Sequence, residues 1–180
     1  MTYRLVIEDL PHYSYDDYKI WEGDWELICG IPYAMAPSPN WQHQHFGAVF
    51  ITAFIEALKK TQADNDCKVL YSCDWIVNND TVVRPDVMIV CDKIEGDYPT
   101  KPPILILEIL SPQSILKDRN TKFNLYRSYG VRYYLLANVE RQQIEVFVLN
   151  NNRYEQAENI TSFLLTNTCS IQVDLQDLFN

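Results

Sequence analysis

Asp86 and Glu108, two carboxylates set in oily sequence, are the residues of this chain best placed to do chemistry. They lie in RPDVMIVCDKIEGDYPTKPPILILEILSP, residues 84–112, where each acid opens or ends an apolar run. Ile104, Ile106, Glu108 and Leu110 share one face of a period-two strand, and Leu105, Leu107 and Ile109 share the other. Both faces are apolar, which marks a central strand. A carboxylate there loses hydration unless it is protonated, hydrogen-bonded, paired with a base or bound to a cation. Asp86 follows Pro85, whose missing N–H suits the first position of a strand. Antiparallel pairing of 87–91 with 104–110, across the loop at 92–103, brings Asp86 beside Glu108. Two acids so close repel and push one pKa up, unless a divalent cation sits between them; hard oxygen donors suit Mg²⁺ or Mn²⁺.

The elements that must position these acids are legible on either side. Residues 69–77 read as a first core strand, and Asn78-Asn79-Asp80-Thr81 as a turn into a second at 82–91. With the strand bearing Glu108 they make a three-strand meander. A helix follows from about 114 to 129 and closes at Gly130. Ile115, Arg119, Lys122, Phe123, Tyr126 and Tyr129 form its inward stripe, so Lys122 leans toward the sheet. Residues 131–137 are a strand with a hairpin partner at 144–149. A polar turn at 150–159, an edge strand near 162–165 and a closing helical turn complete the chain.

Upstream, Ser14 caps a short helix, and 25–35 is a hairpin turning near Gly30 and Pro32, with Glu26 at its start. Pro37-Ser38-Pro39-Asn40 is a loop ending in a helix cap. The helix from Trp41 to about Lys60 buries Phe46, Gly47, Phe50, Phe54, Ala57 and Leu58. His43 falls on that stripe and His45 points away. Taken residue by residue, Glu26 reads as an ordinary surface acid and His43 as a hydrogen-bonded core histidine.

Composition narrows the function classes. At 180 residues the chain fits one domain with a real core. Five scattered cysteines, at 29, 67, 73, 91 and 169, never fall in CxxC spacing and read as reduced thiols of a cytoplasmic protein. The N-terminus carries acids where a signal peptide needs a cationic region, and the longest helical apolar stretch, 46–58, is too short to span a bilayer. A net charge of −9 argues against general affinity for nucleic acid. Between 111 and 132, however, five bases face one acid, the single basic patch, which also reads as a solvated helix face. There is no phosphate loop, dinucleotide turn or nucleophile elbow, and His43 and His45 lie on different helix faces, which disfavours zinc.

A series of motifs runs through the chain: Glu26 in WELICG, MAPSP before His43-Gln44, RPD at 84–86, LEILSP at 107–112, then Asp118, Lys122, Tyr126, Gly130-Val131 before Tyr133-Tyr134, and the LQDLF ending. Taken together this series resembles the Uma-type restriction endonuclease family of the PD-(D/E)XK nuclease superfamily. The resemblance implies an α/β (α+β) fold: a restriction-endonuclease-like core with a mixed central β-sheet flanked by helices. An N-terminal helix and hairpin extension would occupy 1–40, the catalytic core 41–150, and a C-terminal edge strand and turn 151–180.

It also implies hydrolysis of DNA phosphodiester bonds. Asp86, Glu108 and the backbone carbonyl of Ile109 would hold Mg²⁺ (or Mn²⁺), with Glu26 and His43 supporting the metal site. Lys122 would orient water or stabilise transition-state charge, a contribution of the kind worth ~3 kcal/mol. The superfamily's lysine two places after the acid is Leu110 here, and the resemblance implies its relocation to Lys122. An acid usual after the fourth core strand is Asn138. DNA as partner, no membrane and a homodimer complete the expectation. Two rivals stand beside it: a catalytically silent relative that binds metal or nucleic acid, and a structural scaffold in which Asp86 pairs with Arg84 or Arg119 and Glu108 with Lys122.

Overall fold

The acids sit where two β-sheets meet, and the chain builds that junction by breaking two strands. In a computed structural model of the protein, residues 10–35, 38–61 and 67–179 are described; Pro37 of the expected loop lies outside them. The elements are α1 (Tyr15–Tyr18), β1 (Trp25–Ile28), β2 (Ile31–Ala34), α2 (Trp41–Lys60), β3 (Lys68–Tyr71), β4 (Trp75–Asn78), β5 (Thr81–Val83), β6 (Val87–Val90) and β7 (Leu105–Ile109). A π-helical segment, Lys117–Lys122, runs into α3 (Phe123–Ser128), followed by β8 (Tyr133–Asn138), β9 (Gln143–Asn150), β10 (Arg153–Ala157), β11 (Ser162–Leu164) and β12 (Ser170–Gln172).

Six strands form the central sheet in the order β10-β9-β8-β7-β6-β3. It is mixed, as expected: β7 and β8 are parallel, joined by the π-helix and α3, and the other neighbours are antiparallel. A second sheet, β2-β1-β5-β4, contains the N-terminal hairpin. The single strands expected at 69–77 and 82–91 are each split in two. Ser72 takes a positive φ of 46°, Pro85 offers no N–H, and the two bends are tied together where Ser72 N–H donates to the Asp86 carbonyl at 2.9 Å. The middle halves, β4 and β5, therefore leave the meander: β5 pairs with β1 and β4 with β5.

Both faces of β7 are buried, as its pattern requires. Leu105, Leu107 and Ile109 pack with Val87 and Ile89 against Phe46, Phe50 and Phe54 of α2. Ile106 packs on the other face with Met88, Trp75, Tyr126 and Tyr134. Asn40 caps α2, its side chain accepting the His43 N–H at 3.0 Å, so the cap also fixes where His43 begins.

Three further expectations are corrected. The segment 150–159 is not a plain turn: Asn151 and Asn152, both at positive φ, make a tight hairpin turn from β9 into β10. The inward stripe of the third helix is shifted, because Phe123 N–H reaches back five residues to the Asp118 carbonyl. Asp118 and Lys122 are thereby buried, whereas Arg119 points outward to Glu145 and Tyr129 is exposed. Cys67 and Cys91 form a disulfide rather than free thiols, since the pairing of Lys68 with Val90 puts the two directly opposite one step further along the ladder. Cys29, Cys73 and Cys169 are free.

Candidate active site

Glu108 projects from β7 into the face covered by the π-helix, where it is 4% exposed. Its Oε1 accepts from Lys122 Nζ at 2.9 Å and from Tyr126 Oη at 2.7 Å. Lys122 arrives from the π-helix and donates also to Glu26 Oε1 at 2.8 Å. Glu26, expected as a surface acid, is fully buried in β1. Its Oε2 takes Lys117 Nζ at 2.5 Å and its Oε1 the main-chain N–H of Arg84 at 2.9 Å. The apolar neighbours Trp25, Leu27 and Ile28 are the sequence signal for that burial.

Asp86 stands at the head of β6 on the open side of this cluster, its side chain 26% exposed. Its Oδ2 accepts the Ile109 N–H at 2.7 Å, and its Oδ1 accepts from His43 Nε2 at 3.1 Å. The carboxylate therefore continues the β6–β7 ladder one step past Val87, which pairs with Leu107. An N–H and C=O of one strand residue point the same way, so the Ile109 carbonyl faces the Asp86 side of β7. The pairings of Asp86 with Arg84 or Arg119 considered for a scaffold do not form. Arg84 donates to Asp74 and Asp24 at 2.6 Å each, and Arg119 is bound to Glu145. Glu108 with Lys122 does pair.

Asp118, the fourth acid, is 1% exposed, and its Oδ1 has no hydrogen-bond partner among the described residues. Lys122 Nζ lies 4.0 Å from that oxygen. Asp118 and Lys117 were not singled out by sequence as site residues. The i,i+4 spacing of Asp118 and Lys122 was a usable signal for the first; Lys117 turns inward through the π-helical register, which a 3.6-residue period hides.

The electrostatics follow from burial. Three buried carboxylates, Glu26, Glu108 and Asp118, surround two ammonium groups, Lys117 and Lys122, and Asp86 adds a fourth negative charge that acts on Glu108 and Asp118. Burial pushes Glu108 up to about 8; Lys122 opposes this, and Asp118, Asp86 and Glu26 reinforce it. Burial likewise raises Asp118 against the pull of Lys122. Glu26 goes the other way: burial would raise it, but Lys122 and Lys117 together hold it below the usual range. For Lys122, burial opposes the charge, but Glu108, Glu26 and Asp118 keep its pKa well above normal.

Among the described residues no three His, Cys, Asp or Glu side chains form a ready metal cage. The donors nonetheless suit a small hard cation: Mg²⁺ is commonly held by only one or two carboxylates and keeps several waters. Two carboxylates at neighbouring strand ends, a carbonyl on the same side and a surplus of acid over base meet that requirement. Asn138, at the position where the resemblance implies an acid, closes the β8–β9 turn by accepting the Arg141 N–H at 3.0 Å. No helix among the described residues is long and apolar enough to cross a membrane.

Comparison with known proteins agrees with this fold. A crystal structure of a "putative nuclease belonging to DUF820" from Anabaena variabilis ATCC 29413 superposes with a TM-score of 0.70. The two share 14% sequence identity over 92% of this chain and 97% of that one. Curated proteins yielded no match. A family model, Uma2, described as "Putative restriction endonuclease", matches residues 15–177, and the chain belongs to that family.

Proposed function

We propose that this protein is a divalent-metal-dependent endonuclease that hydrolyses DNA phosphodiester bonds. The observation that carries the reading is the imbalance at the junction of the sheets, four carboxylates from four elements against two lysines, with Asp86 on the open side. Asp86, Glu108 and the Ile109 carbonyl would hold Mg²⁺ or Mn²⁺. When bound, the cation would polarise a phosphoryl oxygen and lower the pKa of a coordinated water.

The protein's own groups have separable tasks. His43 and the Ile109 N–H fix both oxygens of Asp86 and so set its rotamer. Glu26 holds Lys122 and Lys117 together, keeping two ammonium groups inside the site at a cost offset by charge-assisted hydrogen bonds. Lys122 keeps a positive charge within the cluster, where it would oppose the negative charge that a phosphate gains under attack. Tyr126 limits Glu108 to one orientation. The reading includes action in the cytoplasm and, for cutting both strands, a two-fold dimer with paired sites.

A second reading, a silent relative, is favoured by one observation: both oxygens of Asp86 and Oε1 of Glu108 already accept hydrogen bonds. Supercoiled plasmid with Mg²⁺ or Mn²⁺ separates the two. Nicking by the wild type that is lost in Asp86→Ala, Glu108→Ala and Lys122→Ala supports the nuclease. Mn²⁺ binding in calorimetry without nicking supports the silent binder, and neither result leaves only the salt-bridged scaffold.

A further inference from the structure

Asp118 Oδ1 and Trp75 Nε1 are the buried side-chain polar atoms without a partner among the described residues. A buried carboxylate oxygen with no protein partner is costly and calls for a physical reason. The main chain at Asp118 is anchored: its N–H donates to the Ser114 carbonyl at 2.9 Å and its carbonyl accepts from Tyr134 Oη at 3.0 Å. A partner for the oxygen must come from the groups around it.

One cation is placed to do so. Lys117 is committed to Glu26, and Arg119 faces Glu145 on the outside of the helix. Lys122 Nζ is 4.0 Å away, with two of its three N–H groups on Glu26 and Glu108. A displacement of about 1 Å at the end of a flexible four-carbon stem completes a hydrogen bond to Asp118.

We propose that Asp118 receives the Lys122 ammonium when a divalent cation takes Glu108, so that Glu108 is freed without stranding a buried lysine. This rests on the metal-binding reading above. Glu26 stays on Lys122 throughout and acts as the pivot, while Lys122 exchanges Glu108 for Asp118. Asp118 is thus a positioning residue: it touches neither cation nor substrate and works through the lysine.

Calorimetric titration of Mn²⁺ into four proteins tests the exchange: wild type, Asp118→Asn, Lys122→Met and the double variant. Asp118→Asn is expected to bind Mn²⁺ roughly tenfold more weakly than wild type, because the amide keeps an acceptor oxygen but loses the negative charge that would receive the ammonium. In the Lys122→Met background the same change should shift affinity by less than about twofold, because the lysine through which it acts is gone. Equal weakening in both backgrounds would make Asp118 a ligand and overturn the proposal; so would wild-type affinity in Asp118→Asn. Absence of Mn²⁺ binding by the wild type removes the metal reading itself, a different failure. A crystal of the wild type with Mg²⁺ gives a check that needs no variant. Lys122 Nζ should stand about 3 Å from Asp118 Oδ1; retention on Glu108 with the ion bound refutes the exchange.

Discussion

Two faces of one strand carry opposite solutions to burial. On the α2 side, Leu105, Leu107 and Ile109 meet Phe46, Phe50 and Phe54, and Phe50 stacks on Phe54 with ring centroids 4.2 Å apart. On the other side, one residue away, Glu108 meets Lys122, and Glu26 and Asp118 crowd the same ammonium. The apolar face is stabilised by area and shape alone, insensitive to pH and ions. The charged face holds more acid than base, so its stability is tied to pH and to any cation that enters. A strand that is apolar on one side, and on the other carries one charged residue beside the apolar cluster of Ile106, holds a reactive group rigid without making the whole core depend on it.

The largest effect should come from the apolar face. Phe50→Ala removes a fully buried ring and is expected to cost about 4 kcal/mol in urea unfolding. That loss should be the same at pH 6 and pH 8. A loss that varied strongly with pH would mean the two faces are not independent.

Lys122→Met keeps the packing of the stem but strips two buried glutamates of a shared partner. Breaking a buried pair from one side is expected to cost about 3 kcal/mol at pH 8. Glu26 retains Lys117, and Glu108 can take a proton, so the cost should be about half that at pH 6. An equal cost at both values would show that Glu108 does not respond to its partner.

The wild type itself should report the imbalance when metal is removed with chelator. The folded pKa of Glu108, about 8, lies above its ordinary 4.5, so between those values the folded state keeps a proton that the unfolded state has lost. Stability therefore falls as pH rises through that window, with a limiting slope of about 1.4 kcal/mol per pH unit, and levels off above it. Glu26, held below its ordinary range, contributes stability that is lost only as pH falls beneath about 4.5, outside this window. Glu108→Gln should flatten the slope in thermal melts from pH 5 to 8. A slope that survives the substitution assigns the proton to another group.

Much of this frame was legible in the sequence, and the misreadings share a cause. The period-two burial of β7, the Asn40 cap and the inward lean of Lys122 each follow from local pattern, which one element is enough to define. Glu26 was misjudged because its burial depends on the junction of two sheets, and that junction exists only because Ser72 and Pro85 bend strands whose composition runs on unbroken. Arg119 and Asp118 exchanged places because a π-helical turn adds a residue that a 3.6-residue wheel does not count. The Cys67–Cys91 bond depends on the β3–β6 register, which spacing along the chain does not encode.

His43 offers the mildest test, because it sits where neither solution to burial applies fully. It reaches from the apolar α2 face to Asp86 on the open side, and its side chain is 15% exposed. His43→Gln keeps a donor of similar reach, and Asp86 retains the Ile109 N–H, so no buried charge is left alone. The cost in urea unfolding should be about 1 kcal/mol or less. If His43 matters mainly for aiming Asp86, plasmid nicking should fall by a larger factor than stability alone explains, with the variant still fully folded at the assay temperature. A destabilisation as large as that of Phe50→Ala would instead place His43 among the core residues of α2, and the open side of the site would begin at Asp86 alone.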